Sequence, residues 1–68
     1  MILVTGFESY GRRAANPAEM VAQALDGTRI GGVAVRGVTL PVDYAAIRES
    51  VPRMLDELRP RAVVSLGL

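Results

Sequence analysis

The chain has 68 residues, half of them apolar, with eight basic and seven acidic side chains and a net charge of +1. A chain this short forms at most one domain and buries only roughly 60% of the surface its unfolded form exposes. It has no Cys and no His, which excludes disulfides, thiolate metal ligands and any catalysis by those groups within these residues.

All eight basic residues are Arg. Apart from Arg12-Arg13 and the Arg59/Arg61 pair they are scattered, which describes a solvated surface and not the clustered patch of a nucleic-acid binder. No apolar run approaches the roughly 18–20 residues of a membrane span. Residues 1–4 are apolar, but no basic segment precedes them and no long apolar stretch follows, so a signal peptide is not expected. The expectation is a cytoplasmic chain with no nucleic-acid and no membrane partner.

Ile2 to Thr5 is a short, continuously apolar run ended by Gly6. Continuous apolarity predicts a strand covered on both faces. Gly6 to Ala15 then reads as a loop. Asn16-Pro17-Ala18-Glu19 is a helix start, with Asn as N-cap, Pro in the first helical position and Glu placed for a capping box. Met20/Ala24 and Val21/Leu25 fall four residues apart on neighbouring rows, and these predict the inner face. Asp26-Gly27 ends the helix, with Gly in the C-terminal role and Asp26 opposing the helix dipole.

Gly31-Gly32 reads as a turn, and Val33 to Leu40 as a strand. Gly37 interrupts that strand and predicts a bulge or a close backbone approach. Pro41 ends it, and Asp43 is the expected N-cap of a second helix. Ile47, Val51, Met54, Leu55 and Leu58 form one helical stripe. Pro52 lies inside the stripe, and the unbroken phase predicts one kinked helix. Arg59-Pro60 stops it. Ala62 to Leu66 is a third strand, ended by Gly67.

The order β-α-β-α-β predicts an α/β fold, a fragment of a mainly parallel three-layer α/β/α sheet. Ligands of such sheets bind outside the carboxyl ends of the strands. Strand one ends at Gly6 and strand three at Gly67, so a pocket is expected where the chain stops. Residues 1–68 therefore read as an incomplete domain. A natural mini-domain is the alternative.

Gly6 and Gly11 have the Gly-x4-Gly spacing of a phosphate loop, but Arg12 and Arg13 stand where that loop needs Lys and Ser or Thr. Phe7 and Tyr10 are two of three aromatics. They read either as plugs on the core or as flat walls for a small planar ligand. Glu8 is the only acid in this loop and is read as surface-exposed, with a functional carboxylate as the alternative. Glu49, Asp56 and Glu57 are expected on the outer face of the second helix, and no metal site is expected.

Val4-Thr5-Gly6-Phe7-Glu8-x-x-Gly11 followed by Asn16-Pro17 resembles the opening of the cysteine-type pyroglutamyl peptidases, typically T-G-F-[DE]-P-F-G and then N-P. Leu40-Pro41-Val42 and Arg59-Pro60-x-x-Val63-Val64-x-Leu66-Gly67 extend the likeness over the whole chain. The resemblance implies a hydrolase that removes N-terminal pyroglutamate from peptides, without cofactor or metal, commonly as a homotetramer. It also implies that the Cys nucleophile, His base and acidic partner lie beyond Leu68, leaving no catalytic residue in this chain. The family's two loop aromatics, which border the pyroglutamyl ring, correspond to Phe7 and Tyr10. The usual Pro-Phe is Ser9-Tyr10 here, which loosens the loop and adds a hydroxyl. Position 68, where the family's next loop contacts the lactam, is Leu. The alternative function is a small phosphate- or nucleotide-binding module using the Gly6–Gly11 loop; a non-catalytic docking homologue is a third.

Overall fold

A computed structural model describes residues 1–8 and 16–66. Three long strands, β1 (Ile2–Phe7), β3 (Val33–Leu40) and β4 (Ala62–Ser65), alternate with two helices, α1 (Pro17–Leu25) and α2 (Tyr44–Leu58), and a two-residue strand β2 (Arg29–Ile30) precedes β3. The sheet order is β2-β3-β1-β4. β1 pairs in parallel with β3 on one side and with β4 on the other, while β2 runs antiparallel to β3. The sheet is thus mainly parallel, as expected.

β2 corrects the expected element order. Gly31 and Gly32 both have positive φ, 57° and 80°, which is the backbone of a tight two-residue hairpin loop. The glycine pair therefore folds Arg29–Ile30 back onto Val33–Ala34. A two-residue strand leaves no apolar period to read.

The chain passes from β1 through α1 to β3, then back across β1 through α2 to β4. Crossovers of one hand that travel in opposite directions must lie on opposite faces of a sheet. Side chains along β1 show this division. Val4 joins Ala22 of α1 and Val35 in a buried cluster flanked by Ile2, Leu25 and Leu66. Leu3, Thr5 and Phe7 point the other way, toward Ile47, Val51 and Met54 of α2.

α1 begins as its sequence predicts. The Asn16 side chain accepts from the Ala18 amide at 3.0 Å, and Pro17 opens the helix. Its inner face, however, is Ala18 and Ala22, with Leu25 half-buried, while Met20 and Val21 are 58% and 44% exposed. The reason lies in the sheet. Gly6 and Gly37 lie directly beneath the helix backbone, where an added methyl would meet the Ala18 and Ala22 carbonyl groups. Only small side chains fit that approach. The register from Ile2↔Val35 to Phe7↔Leu40 is unbroken, so Gly37 marks close approach and not a bulge.

Asp26 gains a partner that offsets its unfavourable place at the helix end, since its Oδ1 accepts from the Gly37 amide at 2.9 Å. Gly27 follows with φ of 82°. α2 is capped by Asp43, whose Oδ1 accepts from the Ala45 and Ala46 amides. It runs through Pro52 as one helix and stops at Arg59, which has φ of 45°. Glu49, Asp56 and Glu57 are exposed, with Arg53–Glu49 and Arg59–Asp56 contacts of 3.2 and 3.9 Å along the helix surface. No residue of α2 is fully buried. No described helix is long and apolar enough to cross a membrane.

Candidate functional site

The carboxyl ends of β1 and β4 lie side by side, at the position where open α/β sheets bind ligands. Their backbones are tied there by the Leu66 amide donating to the Thr5 carbonyl at 2.8 Å. Thr5 Oγ1 also donates to Ser65 Oγ at 3.1 Å, directly across the paired strands. On the other side of β1, the Glu8 amide donates to the Leu40 carbonyl at 2.9 Å. These bonds hold the ends of all three parallel strands in one frame.

Phe7 is the last residue of β1 and is half-buried. Strand alternation turns its ring toward α2, where it borders an apolar cleft of about 230 Å³ with Leu3, Leu40, Ile47 and Val63 among the lining residues. Ligand pockets for drug-sized molecules span roughly 300–1,000 Å³, and this cleft is smaller than that range. Phe7 thus stands at the carboxyl end of β1 with its side chain among the residues that line the gap between the sheet and α2.

Glu8 is exposed. Its carbonyl accepts from Asn16 Nδ2 at 3.4 Å. Asn16 is 1% exposed and so closes the loop's exit onto its entrance while also capping α1. The sequence marks Asn16 as a cap; its second bond, and the Thr5–Ser65 pair, become visible only when distant segments meet. Tyr10, Gly11, Arg12 and Arg13 lie outside the described residues.

The phosphate-loop alternative finds no support here. Gly6 is a member of β1, paired with Thr39 and packed on the Ala18 carbonyl. It is not a free loop position whose amide can turn to an anion. The Ala18 amide at the start of α1 is already taken by Asn16.

The sequence profile of the pyroglutamyl peptidase family matches residues 1–68. The chain belongs to this family. It is 40% identical to the pyrrolidone-carboxylate peptidase of Pyrococcus furiosus over 98% of its own length and 32% of that relative's. The Thermococcus litoralis and Chromobacterium violaceum pyrrolidone-carboxylate peptidases are 39% and 38% identical, covering 98% and 97% of this chain. The solved Thermococcus litoralis pyrrolidone carboxyl peptidase superposes with a TM-score of 0.91 over 98% of this chain and 30% of its own. A variant of the Pyrococcus furiosus enzyme also gives 0.91, at 40% identity. The chain spans about a third of the length of the curated relatives it matches. The resemblance stated from the opening motif thus holds across all 68 residues.

Proposed function

We propose that residues 1–68 are the N-terminal part of one incomplete α/β peptidase domain, and that the whole protein hydrolyses the N-terminal pyroglutamyl residue from peptides. The observation that carries this reading is the family match over the full chain, joined to the placement of Phe7 at the carboxyl edge of the parallel sheet. The chain holds no Cys or His, so the nucleophile, its base and the acid that orients the base belong to sequence beyond residue 68. There, a thiolate would add to the pyroglutamyl carbonyl carbon, the amine would leave with a proton from the base, and water would release pyroglutamate from the thioester.

The part of this chain is positioning. Phe7, with Tyr10, provides flat apolar walls for the uncharged lactam ring. Ring faces grip such a group by shape and dispersion without requiring charge. The Thr5–Ser65 and Leu66–Thr5 bonds tie the end of β1, which carries Phe7, to the end of β4. The protein acts in the cytoplasm as a homo-oligomer, with pyroglutamyl peptides as its partners and no cofactor.

The test uses the full-length enzyme and a pyroglutamyl amide substrate. Thiol alkylation abolishes turnover. Phe7→Ala lowers kcat/KM by about 10- to 200-fold, the range for lost apolar pocket contacts. Phe7→Leu fills the α2 side of the cleft but has no flat face, and loses a comparable amount. An unchanged kcat/KM in either folded variant would return Phe7 to core packing alone.

A further inference from the structure

Asp26-Gly27 is the one place in the sequence where Asp or Asn precedes Gly. That dipeptide carries a chemistry of its own. The backbone nitrogen of the second residue can attack the side-chain carboxyl carbon of the first and close a five-membered succinimide. Glycine leaves that nitrogen unshielded. Asp43 and Asp56 precede Tyr44 and Glu57, whose side chains crowd the attack, and Asn16 precedes Pro17, which has no N–H to lose.

Burial does not restrain this reaction. Asp26 and Gly27 are both exposed, and a methyl on Gly27 would meet nothing within 4 Å. Geometry restrains it instead. Ring closure needs Cβ eclipsed with the next nitrogen, a ψ of about −120° that lies outside the regions L-residues populate. Asp26 stands at ψ 129°, about 110° from that alignment. Both reacting groups are also anchored on β3. The Asp26 carboxylate accepts from the Gly37 amide at 2.9 Å, and the Gly27 amide donates to the Val35 carbonyl at 3.0 Å. Thr28 extends the anchor, since its carbonyl accepts from the Val35 amide at 2.9 Å and its Oγ1 donates to the Leu25 carbonyl at 2.6 Å. The two side-chain bonds in this set are solvent-exposed. Exposed hydrogen bonds with little apolar cover belong to the parts of a fold that open first.

We infer that Asp26-Gly27 is an isoaspartate-forming site that the α1–β3 connection holds closed, and that local opening of this connection sets the rate of modification. On opening, the Gly27 nitrogen bonds to Asp26 Cγ. The nitrogen gives up its proton, the carboxyl gives up an oxygen, and the two leave as water. Water then adds to either ring carbonyl. Addition at Cγ restores aspartate, while addition at the main-chain carbonyl leaves isoaspartate, with the backbone running through Cβ. One water is lost and one gained, and nothing is oxidised or reduced. The product has an extra methylene in the main chain and its free carboxylate directly on Cα. The Gly37 amide and the Val35 carbonyl then cannot both be met in the present register, so the modified chain does not return to the closed form. It becomes a substrate for the class of carboxyl methyltransferases that recognise L-isoaspartate. The connection lies on the β2 side of β3, away from Phe7, and the inference needs no assumption about which peptides the protein cleaves.

The experiment ages the full-length protein at neutral pH and physiological temperature, folded in buffer and unfolded in guanidinium chloride, beside a synthetic peptide of residues 22–30. Isoaspartate at residue 26 is counted by peptide mapping with electron-transfer fragmentation, and by methyl transfer from S-adenosylmethionine through an isoaspartyl methyltransferase. The peptide and the unfolded protein accumulate it at the same rate, and the folded protein does so at least about tenfold more slowly. Thr28→Val removes the Oγ1 bond to Leu25 and speeds the folded-state reaction about 2- to 10-fold, one hydrogen bond's net contribution, without changing the unfolded rate. Gly37→Ala places a methyl 3.0 Å from Asp26 Cβ and acts in the same direction. Asn16→Ala weakens α1 at its far end and leaves the folded-state rate nearly unchanged. A folded protein modified as fast as the peptide overturns the inference, as does an unfolded chain with no isoaspartate at residue 26. Equal acceleration by Asn16→Ala and Thr28→Val shows that only global unfolding exposes the site and overturns the local gate. Peptidase activity enters none of these readouts.

Discussion

Replacing Gly6 by Ala tests the packing that sets the position of the site. A methyl on Gly6 would overlap the Ala18 carbonyl oxygen, sit 2.7 Å from its carbon and lie 3.1 Å from the Ala22 Cβ. Ordinary carbon contacts are about 3.5–4.0 Å, so α1 has to retreat by about 1 Å. That retreat also loosens Ala22 from Val4 and Val35, the buried cluster beneath the helix. Overpacking of this kind costs about 1–3 kcal/mol. The φ of Gly6 is not positive, so alanine fits the backbone and returns about 0.4–1 kcal/mol through the unfolded chain. The net loss is then about 1–2 kcal/mol, or a Tm fall of roughly 2–8 °C in a full-length family domain about three times as long as this chain. Thermal and urea unfolding followed by circular dichroism measure it. Gly37→Ala meets the Ala22 carbonyl in the same way, and one helix displacement relieves both clashes. The double variant should therefore lose clearly less than the sum of the singles. Strictly additive losses, or a single loss under about 0.5 kcal/mol, would refute the shared-contact argument.

The remaining predictions concern the caps and the second helix. Asn16→Ala removes the α1 cap and the bond to the Glu8 carbonyl, costing about 1–2 kcal/mol; Asn16→Asp keeps the cap acceptor but cannot donate to Glu8, and unfolding curves of the two variants separate these contributions. Asp26→Ala strands the Gly37 amide and costs about 1 kcal/mol. Asp26→Asn keeps an acceptor while removing a negative charge from the helix C-terminus, so it is neutral or stabilising by a few tenths of a kcal/mol; a larger loss for Asn than for Ala would refute the assigned role. Pro52→Ala restores an amide aimed at the Arg48 carbonyl and, after the unfolded-chain offset, raises stability by about 1–2 kcal/mol, read as a higher Tm.

Local sequence by itself determined much of this protein. The N-caps Asn16 and Asp43, Pro17, the helix stop at Gly27 and the α2 stripe rest on backbone and spacing rules that act within a few residues. So does the alternation of strands and helices that specifies a mainly parallel sheet. The family was equally legible, because the order of short motifs from Thr5 to Gly67 is a one-dimensional property.

Tertiary structure decided the rest, because each remaining feature depends on residues far apart in the chain. Which face of α1 is buried was settled by Gly6 and Gly37, two positions with no side chain of their own to announce a contact. Met20 and Val21 have the helical spacing of a core but the wrong azimuth for a helix lying on bare backbone. The β2 hairpin formed because two glycines accept positive φ, which a two-residue strand cannot reveal by periodicity. Asn16 reaching Glu8, Asp26 accepting from the Gly37 amide and Thr5 meeting Ser65 join segments separated by 8, 11 and 60 residues. Phe7 is legible as an aromatic at a strand end. Its cleft exists only because β1, β3, β4 and α2 converge on one side of the sheet, where the apolar faces of separate elements must share a single volume away from water.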